Sequence, residues 1–179
     1  MEQAPRTVMT ADDMSYAMTR MTHEILERNH GADGVILLGI LTRGAPLAER
    51  LAAIAASQGH RLPVGRLDIT MYRDDLRAQP TRPVGRTVLP ESVDGKVVVL
   101  VDDVLYSGRT VQAALHALAD LGRPRAIQLV TLVDRGLREL PIQADVVGKH
   151  LPTARAERVR VTLREIDGED LVTIERTAQ

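Results

Sequence analysis

The sequence has no cysteine, no phenylalanine and no tryptophan, and aromatics are only 2% of its 179 residues. Without cysteine there is neither a disulfide nor a thiol nucleophile, as expected of a cytoplasmic protein. Without phenylalanine or tryptophan, the core must be built from leucine, valine, isoleucine, alanine and methionine. Lysine is scarce too: Lys96 and Lys149 are the only two, and every other cationic side chain is arginine. Arginine's planar fork suits phosphate, but genomic base composition explains such a bias more cheaply. The net charge of −1 excludes a globally basic nucleic-acid binder and leaves room only for a local basic face. Long apolar runs are missing as well. The longest, residues 35–41, is far too short to span a membrane, and the N-terminus carries no signal-peptide pattern. No repeat, low-complexity tract or linker interrupts the chain, so residues 1–179 are expected to form one domain with a substantial core.

What is present centres on residues 97–110, Val-Val-Val-Leu-Val-Asp-Asp-Val-Leu-Tyr-Ser-Gly-Arg-Thr. Five consecutive aliphatic residues predict a strand buried on both faces. The strand runs into Asp102 and Asp103, then into a short loop with Ser107, Gly108 and Thr110. A helical pattern follows through Val111, Leu115, Leu118 and Leu121, stopped by Gly122 and Pro124. Loop amides and a helix N-terminus suit a phosphate dianion, Gly108 permits close backbone approach, and the two hydroxyls can donate to phosphate oxygens. The acidic pair can accept hydrogen bonds from vicinal ribose hydroxyls, which a lone phosphate would not need. Acidic pairs at strand ends also hold magnesium in nucleotide hydrolases, but those bring a Gly-Lys-[Ser/Thr] loop. Here Gly95-Lys96 and Gly148-Lys149 are followed by Val97 and His150. The stretch resembles the phosphoribosyl pyrophosphate (PRPP) motif of type I phosphoribosyltransferases.

Around it, Thr10 with Asp12 and Asp13 predicts a helix start, Met14, Ala17, Met18, Met21 and Ile25 keep helical spacing, and Gly31 closes the segment. The opposite face carries Thr19, Arg20, His23 and Glu27, by default a solvated surface. Residues 35–39 form a second buried strand that runs into Thr42-Arg43-Gly44, followed by a helix with Pro46 in its first turn that reaches Gly59. Val64, Leu67 and Ile69 alternate as a strand. The polar excursion beyond, with Arg77, Arg82, Arg86 and Pro80, Pro83, Pro90, suggests a flexible lid over about residues 71–95 more than core, and fits a passive surface loop equally well. Residues 127–133 form another buried strand ending in Asp134-Arg135-Gly136, and a short one follows around Val146 and Val147. Residues 158–166 and 171–175 read as two strands joined through Asp167-Gly168. Buried strands alternating with helices imply an α/β fold: a mainly parallel sheet flanked by helices, with a small antiparallel C-terminal addition.

Several motifs in order resemble one family. They are residues 19–24, residues 39–44, residues 67–76, the PRPP motif, and residues 133–142. The resemblance is to the bacterial pyrimidine-operon attenuation regulators that are also uracil phosphoribosyltransferases. It implies conversion of uracil and PRPP to UMP and pyrophosphate with Mg2+. It also implies binding of a pyrimidine-operon mRNA leader under control of UMP or UTP, in a homo-oligomer. By the same resemblance, Leu105, Tyr106, Ser107, Gly108, Arg109 and Thr110 hold the 5′-phosphate, and Asp102 and Asp103 hold the ribose. Thr42 and Arg43 meet pyrophosphate, Arg73 completes the charge clamp, and Val133, Asp134, Arg135 and Val159 line the base site. Thr19, Arg20, His23, Arg28, Arg138 and Lys149 are the matched RNA-binding positions. The chain departs from the pattern with Leu137 where histidine is common, Gln143 where arginine is frequent and His150 where asparagine is usual. Two other readings share the pocket: transfer to a purine or orotate, against which residues 133–142 argue, and a nucleotide sensor with negligible catalysis.

Overall fold

A computed structural model describes residues 4–74 and 85–177. Five parallel strands make the main sheet: β2 (Val35–Ile40), β3 (Val64–Leu67), β4 (Val97–Leu105), β5 (Ala126–Asp134) and β6 (Val146–His150), in the order β3-β2-β4-β5-β6. A three-stranded antiparallel sheet, ordered β1-β8-β7, joins β1 (Arg6–Met9) to β7 (Glu157–Thr162) and β8 (Leu171–Arg176). The helices are α1 (Ala11–Arg28), α2 (Gly44–Ser57), α3 (Arg109–Leu121) and the single turn α4 (Arg164–Asp167).

The aliphatic runs of β2 and β4 are continuous because both faces of the sheet are covered. Val97, Val99 and Val101 enter one core with α1, α2 and the small sheet, while Val98 and Leu100 enter a second core with α3. Helix α1 opens with the reciprocal cap expected at Thr10: the Asp13 amide donates to Thr10 Oγ1 at 3.2 Å, and Asp13 Oδ2 accepts from the Thr10 amide at 2.8 Å. Its methionine stripe, Met14, Met18 and Met21, is buried in the first of these cores.

Two expectations change. The first C-terminal strand stops at Thr162, and residues 164–167 form a helical turn capped by left-handed Gly168, so β7 and β8 are not joined by a tight hairpin turn. Strand β1 was not foreseen; four residues are too few to show a period, and its partner β8 lies at the far end of the chain. Within the expected lid, residues 75–84, including Arg77 and Arg82, lie outside the described residues. Beyond them Val88 and Arg66 exchange two backbone hydrogen bonds of 2.9 Å, and Val93 is fully buried.

Candidate active site

Chain order along the sheet reverses between β2 and β4, and open α/β sheets bind ligands at the carboxyl ends of strands at such a point. Two glycines bring the elements together there. A Cβ on Gly39 would collide with the backbone of Gly44 and Ala45, and one on Gly44 with the Val101 carbonyl, so the first turn of α2 lies directly against the acidic end of β4. Asp102 is 8% exposed and accepts the Asp103 amide at 3.0 Å. Burial and then the adjacent Asp103 carboxylate push the Asp102 carboxyl well above its ordinary range, with Arg73 opposing them. Asp103 is half-buried, and its Oδ1 accepts the Val104 amide at 2.8 Å.

Both flanking helices present bare N-termini to this point. Neither α2 nor α3 has a side-chain cap or an acidic residue in its first turn, whereas α1 has a capping box and two acids. The Arg109 amide donates to Ser107 Oγ at 3.3 Å and Pro46 has no N–H, but the other first-turn amides of α2 and α3 are available to anions. Helix α3 begins after Gly108 at φ +95°, where a Cβ would lie 3.2 Å from Ile142 Cδ1. The amides of Glu139 and Leu140 donate to the Ser107 carbonyl at 2.9 and 3.1 Å, fixing the loop from beneath. Arg73, Asp74, Asp102 and residues 104–111 line a recess of about 240 Å³.

The arginines divide into roles that their spacing did not reveal. Arg73 reaches towards Thr110 Oγ1 at 3.4 Å, over the mouth of the recess. Arg109 bridges Asp74 and Glu139, both at 2.9 Å. The Arg43 guanidinium turns to the small sheet, donating to the Val161 carbonyl at 2.9 Å and pairing with Asp167 at 2.9 Å. What Arg43 and its neighbours turn towards the acidic pair is the backbone at the start of α2. Arg43 also lines a second recess with Asp103, Arg158, Val159, Arg160 and Glu175. Arg135 is 6% exposed and donates to Thr153 Oγ1 and to the Ala154 and Glu157 carbonyls, so it shapes the end of β5 from inside. Asp134 beside it accepts from the Gly136 amide and from Arg138 at 2.7 Å. Burial works against its charge, but these bonds outweigh it and hold the carboxyl below its usual range.

Residues 11–160 match the phosphoribosyl transferase domain family. The chain belongs to that family. It is 58% identical over 179 residues to the bifunctional protein PyrR of Leifsonia xyli, covering 95% of this chain and 96% of that protein. Against the bifunctional protein PyrR of Streptomyces coelicolor it is 57% identical over 175 residues, covering 97% and 91%. A hypoxanthine phosphoribosyltransferase of Trypanosoma cruzi superposes with a TM-score of 0.71 at 17% identity, covering 97% of both chains. That likeness establishes the phosphoribosyl transferase fold, and says nothing about which base this chain uses.

The residues singled out as RNA-binding fall into two places. Thr19, Arg20 and His23 lie on the exposed face of α1, with Arg28 in its last turn. Arg20 donates to the Val147 and Gly148 carbonyls of β6 at 3.2 and 2.5 Å and pairs with Glu24 at 2.6 Å. Arg28 donates to the Asp145 carbonyl at 3.2 Å, and His23 Nε2 lies 2.8 Å from Gln58 Nε2. Lys149 is exposed on β6, near enough to the start of α1 for its charge to act on Asp13. Arg138 is elsewhere, beside the loop that precedes α3, donating to the Tyr106 and Ile142 carbonyls and to Asp134. Sequence reasoning passed over Asp74 and Glu139, the partners of Arg109, and Arg158 and Arg160 in the second recess. Alternation was the available signal for that last pair, since both flank the inward-facing Val159 in β7.

Proposed function

We propose that the chain transfers the 5-phosphoribosyl group of PRPP to uracil, giving UMP and pyrophosphate, and that it regulates a pyrimidine operon by binding its leader RNA in response to uridine nucleotides. One structural observation carries the catalytic reading: an acidic pair, Asp102 buried and Asp103 half-buried, is flanked by two uncapped, acid-free helix N-termini at one switch point. That arrangement suits a ligand with hydroxyls in its middle and an anionic group at each end. The family membership and the bifunctional relatives support the same reading.

In this reading the loop of residues 105–110 and the start of α3 hold the 5′-phosphate. Asp102 and Asp103 accept from the ribose hydroxyls, and the backbone of Thr42, Arg43 and Gly44 at the start of α2 faces the pyrophosphate. The bond from the anomeric carbon to pyrophosphate oxygen breaks with its electron pair leaving on oxygen, and uracil N1 forms the new bond to that carbon while its N–H proton passes to solvent. The chain contributes by fixing these three groups in line and by gathering N–H dipoles around the departing charge. Arg73 adds a cation above the recess. Val133, Asp134 and Val159 border the base site, with Arg135 bracing it from behind.

Mg2+ fits this donor set, because it is commonly held by one or two carboxylates plus substrate phosphates rather than by a full protein cage. Among the described residues no group of three or more acidic, histidine or cysteine side chains could hold a metal. Asp102 and Asp103 would approach the ion, which would neutralise charge on the pyrophosphate. The RNA site would be the α1 face with Lys149, a local patch in a chain of net charge −1. Cytoplasmic location and self-association belong to the same proposal; no helix among the described residues is long and apolar enough to cross a membrane.

The test offers uracil, hypoxanthine and orotate with PRPP and Mg2+ to the purified chain. UMP formation from uracil alone is expected. Turnover of hypoxanthine or orotate without uracil would reject the assignment of the base, and no turnover with intact UMP binding would leave a sensor without catalysis.

A further inference from the structure

The exposed face of α1 carries a group that neither the phosphoribosyl chemistry nor the basic patch employs, the phenol of Tyr16. It is 76% exposed, more than any other large apolar side chain among the described residues. This is notable in a chain with three tyrosines and no phenylalanine or tryptophan, whose core is short of aromatics. At 3.6 residues per turn, Asp12, Tyr16, Thr19, Arg20 and His23 fall within one arc of about 100°. The opposite side holds the buried Met14, Met18, Met21 and Ile25.

We infer that Tyr16 is a stacking platform for an unpaired base of the RNA held across α1, an inference that rests on the RNA interface proposed above. RNA-binding surfaces read single-stranded loops by stacking splayed bases on aromatic rings, and a ring on a long, capped helix is already positioned to do so. The neighbouring charges favour a base over a phosphate at this point. Helical side chains lean towards the N-terminus, so the ring lies over the acidic first turn, where a phosphate would be repelled. Asp13 is engaged by Thr10, which leaves the Asp12 carboxylate to accept a hydrogen bond from an N–H on a base edge. Arg20 and His23 lie about 6 and 10 Å further along the axis, within reach of the phosphates flanking a stacked base. The N-terminal half of the face thus contacts a base and the C-terminal half holds the backbone. A protein partner fits less well, because the neighbours of Tyr16 on the arc are all polar or charged.

The test uses the full chain with UMP and a pyrimidine-operon leader stem-loop RNA. Tyr16→Ala is expected to weaken RNA binding by about 5- to 150-fold, and Tyr16→Phe to stay within about twofold of wild type because the ring remains. The salt dependence should keep its slope in both variants, since no phosphate contact is lost, and UMP synthesis should be unchanged. Tyr16→Trp would be the sole tryptophan, with fluorescence quenched when a base stacks on it. Wild-type affinity in Tyr16→Ala, or an equal loss in Tyr16→Phe, overturns the stacking role and leaves the RNA interface standing. An altered oligomeric state in Tyr16→Ala overturns it in favour of a contact between copies. A wild-type chain that does not prefer the leader over scrambled RNA removes the interface and the stacking role together.

Discussion

The guanidinium carbon of Arg135 lies 4.2 Å from the centroid of the Tyr106 ring. Through this stack the end of β5 supports the loop between β4 and α3 from the side. The Arg135 amide adds a second tie, donating to the Leu105 carbonyl at 3.0 Å. The side chain's remaining donors fix residues 153–157, so one buried cation joins three segments around the proposed base and phosphate sites. A residue that resemblance places beside the base therefore acts here as a brace.

Arg135→Lys tests that brace. Lysine keeps the charge but cannot reach three separate acceptors with a planar fork, so the Ala154 or Glu157 carbonyl loses its partner. Ala154 is exposed and Glu157 half-buried, so the loss is that of one hydrogen bond to a charged group, about 1.5–3 kcal/mol. For a chain of this size that lowers Tm by roughly 2–10 °C, measurable by thermal denaturation. The KM for PRPP should rise with it, because Tyr106 loses its support. An unchanged Tm would show that the fork is dispensable.

Leu137 adopts φ +60°, next to Gly136 at φ +75°. The left-handed region costs an ordinary L-residue roughly 1–2 kcal/mol. Leu137→Gly, and to a lesser degree Leu137→Asn, should relieve that cost, partly offset for glycine by the freer unfolded chain. A net gain of up to about 1 kcal/mol, or roughly 2–4 °C in Tm, is expected for Leu137→Asn. A fall in Tm would show that packing of the leucine side chain outweighs its backbone conformation.

The strands of the main sheet were largely legible in the sequence, because strands covered on both faces leave uninterrupted aliphatic runs at residues 35–38 and 97–101, whereas their order in the sheet was not. The cap of α1 was legible for a similar reason: Thr10 and Asp13 satisfy each other locally. The acidic pair and the phosphate loop are likewise contiguous in the chain. The directions of the arginines were not legible. Arg43 and Arg135 bond to acceptors set by the packing of distant segments, and Arg138 joins two local acceptors to the distant Tyr106 carbonyl; no spacing rule reports which way a guanidinium turns. Strand β1 escaped for the same reason, since its register exists only against β8. The helical turn at residues 164–167 is set by contacts with α2: Arg50 binds Glu165 and Asp170, both at 2.6 Å. Those bonds hold the Arg50 guanidinium above its ordinary range, the Glu165 bond most strongly, against the effect of burial.

Arg20 and Lys149 should separate RNA binding from stability. Arg20 satisfies two β6 carbonyls, and β6 leads through Leu151, whose amide donates to the Asp134 carbonyl at 2.8 Å, to the base site. Arg20→Ala is therefore expected to weaken RNA binding and also to lower Tm, with a modest loss in UMP synthesis. Lys149→Ala should weaken RNA binding alone. If it contacts a phosphate, the log–log salt slope should become shallower by roughly 0.7–0.9. Identical thermal and kinetic behaviour in the two variants would refute the distinction.

Asp102→Asn should make the ligand-free protein more stable and a worse enzyme. Burial and then Asp103 raise the Asp102 carboxyl in the folded state above its ordinary 3.8. Between 3.8 and the raised folded value, the folded chain holds a proton that the unfolded chain has released. Stability therefore falls as pH rises through that window. Asparagine removes the titration, so the Tm advantage of Asp102→Asn should be largest at the upper end of the window and vanish as pH drops towards 3.8. Catalysis should move the other way: each lost charge-assisted bond to a ribose hydroxyl is worth about 1.5–3 kcal/mol. Asp103→Asn, alone or combined with Asp102→Asn, should then cost roughly ten- to ten-thousand-fold in kcat/KM. Thermal scans across pH, with and without PRPP, read both effects on the same samples. PRPP should stabilise wild type more than the variants, because a neutral amide oxygen accepts a ribose hydroxyl more weakly than an ionised carboxylate does. A double variant with wild-type kinetics would remove the acidic pair from the site.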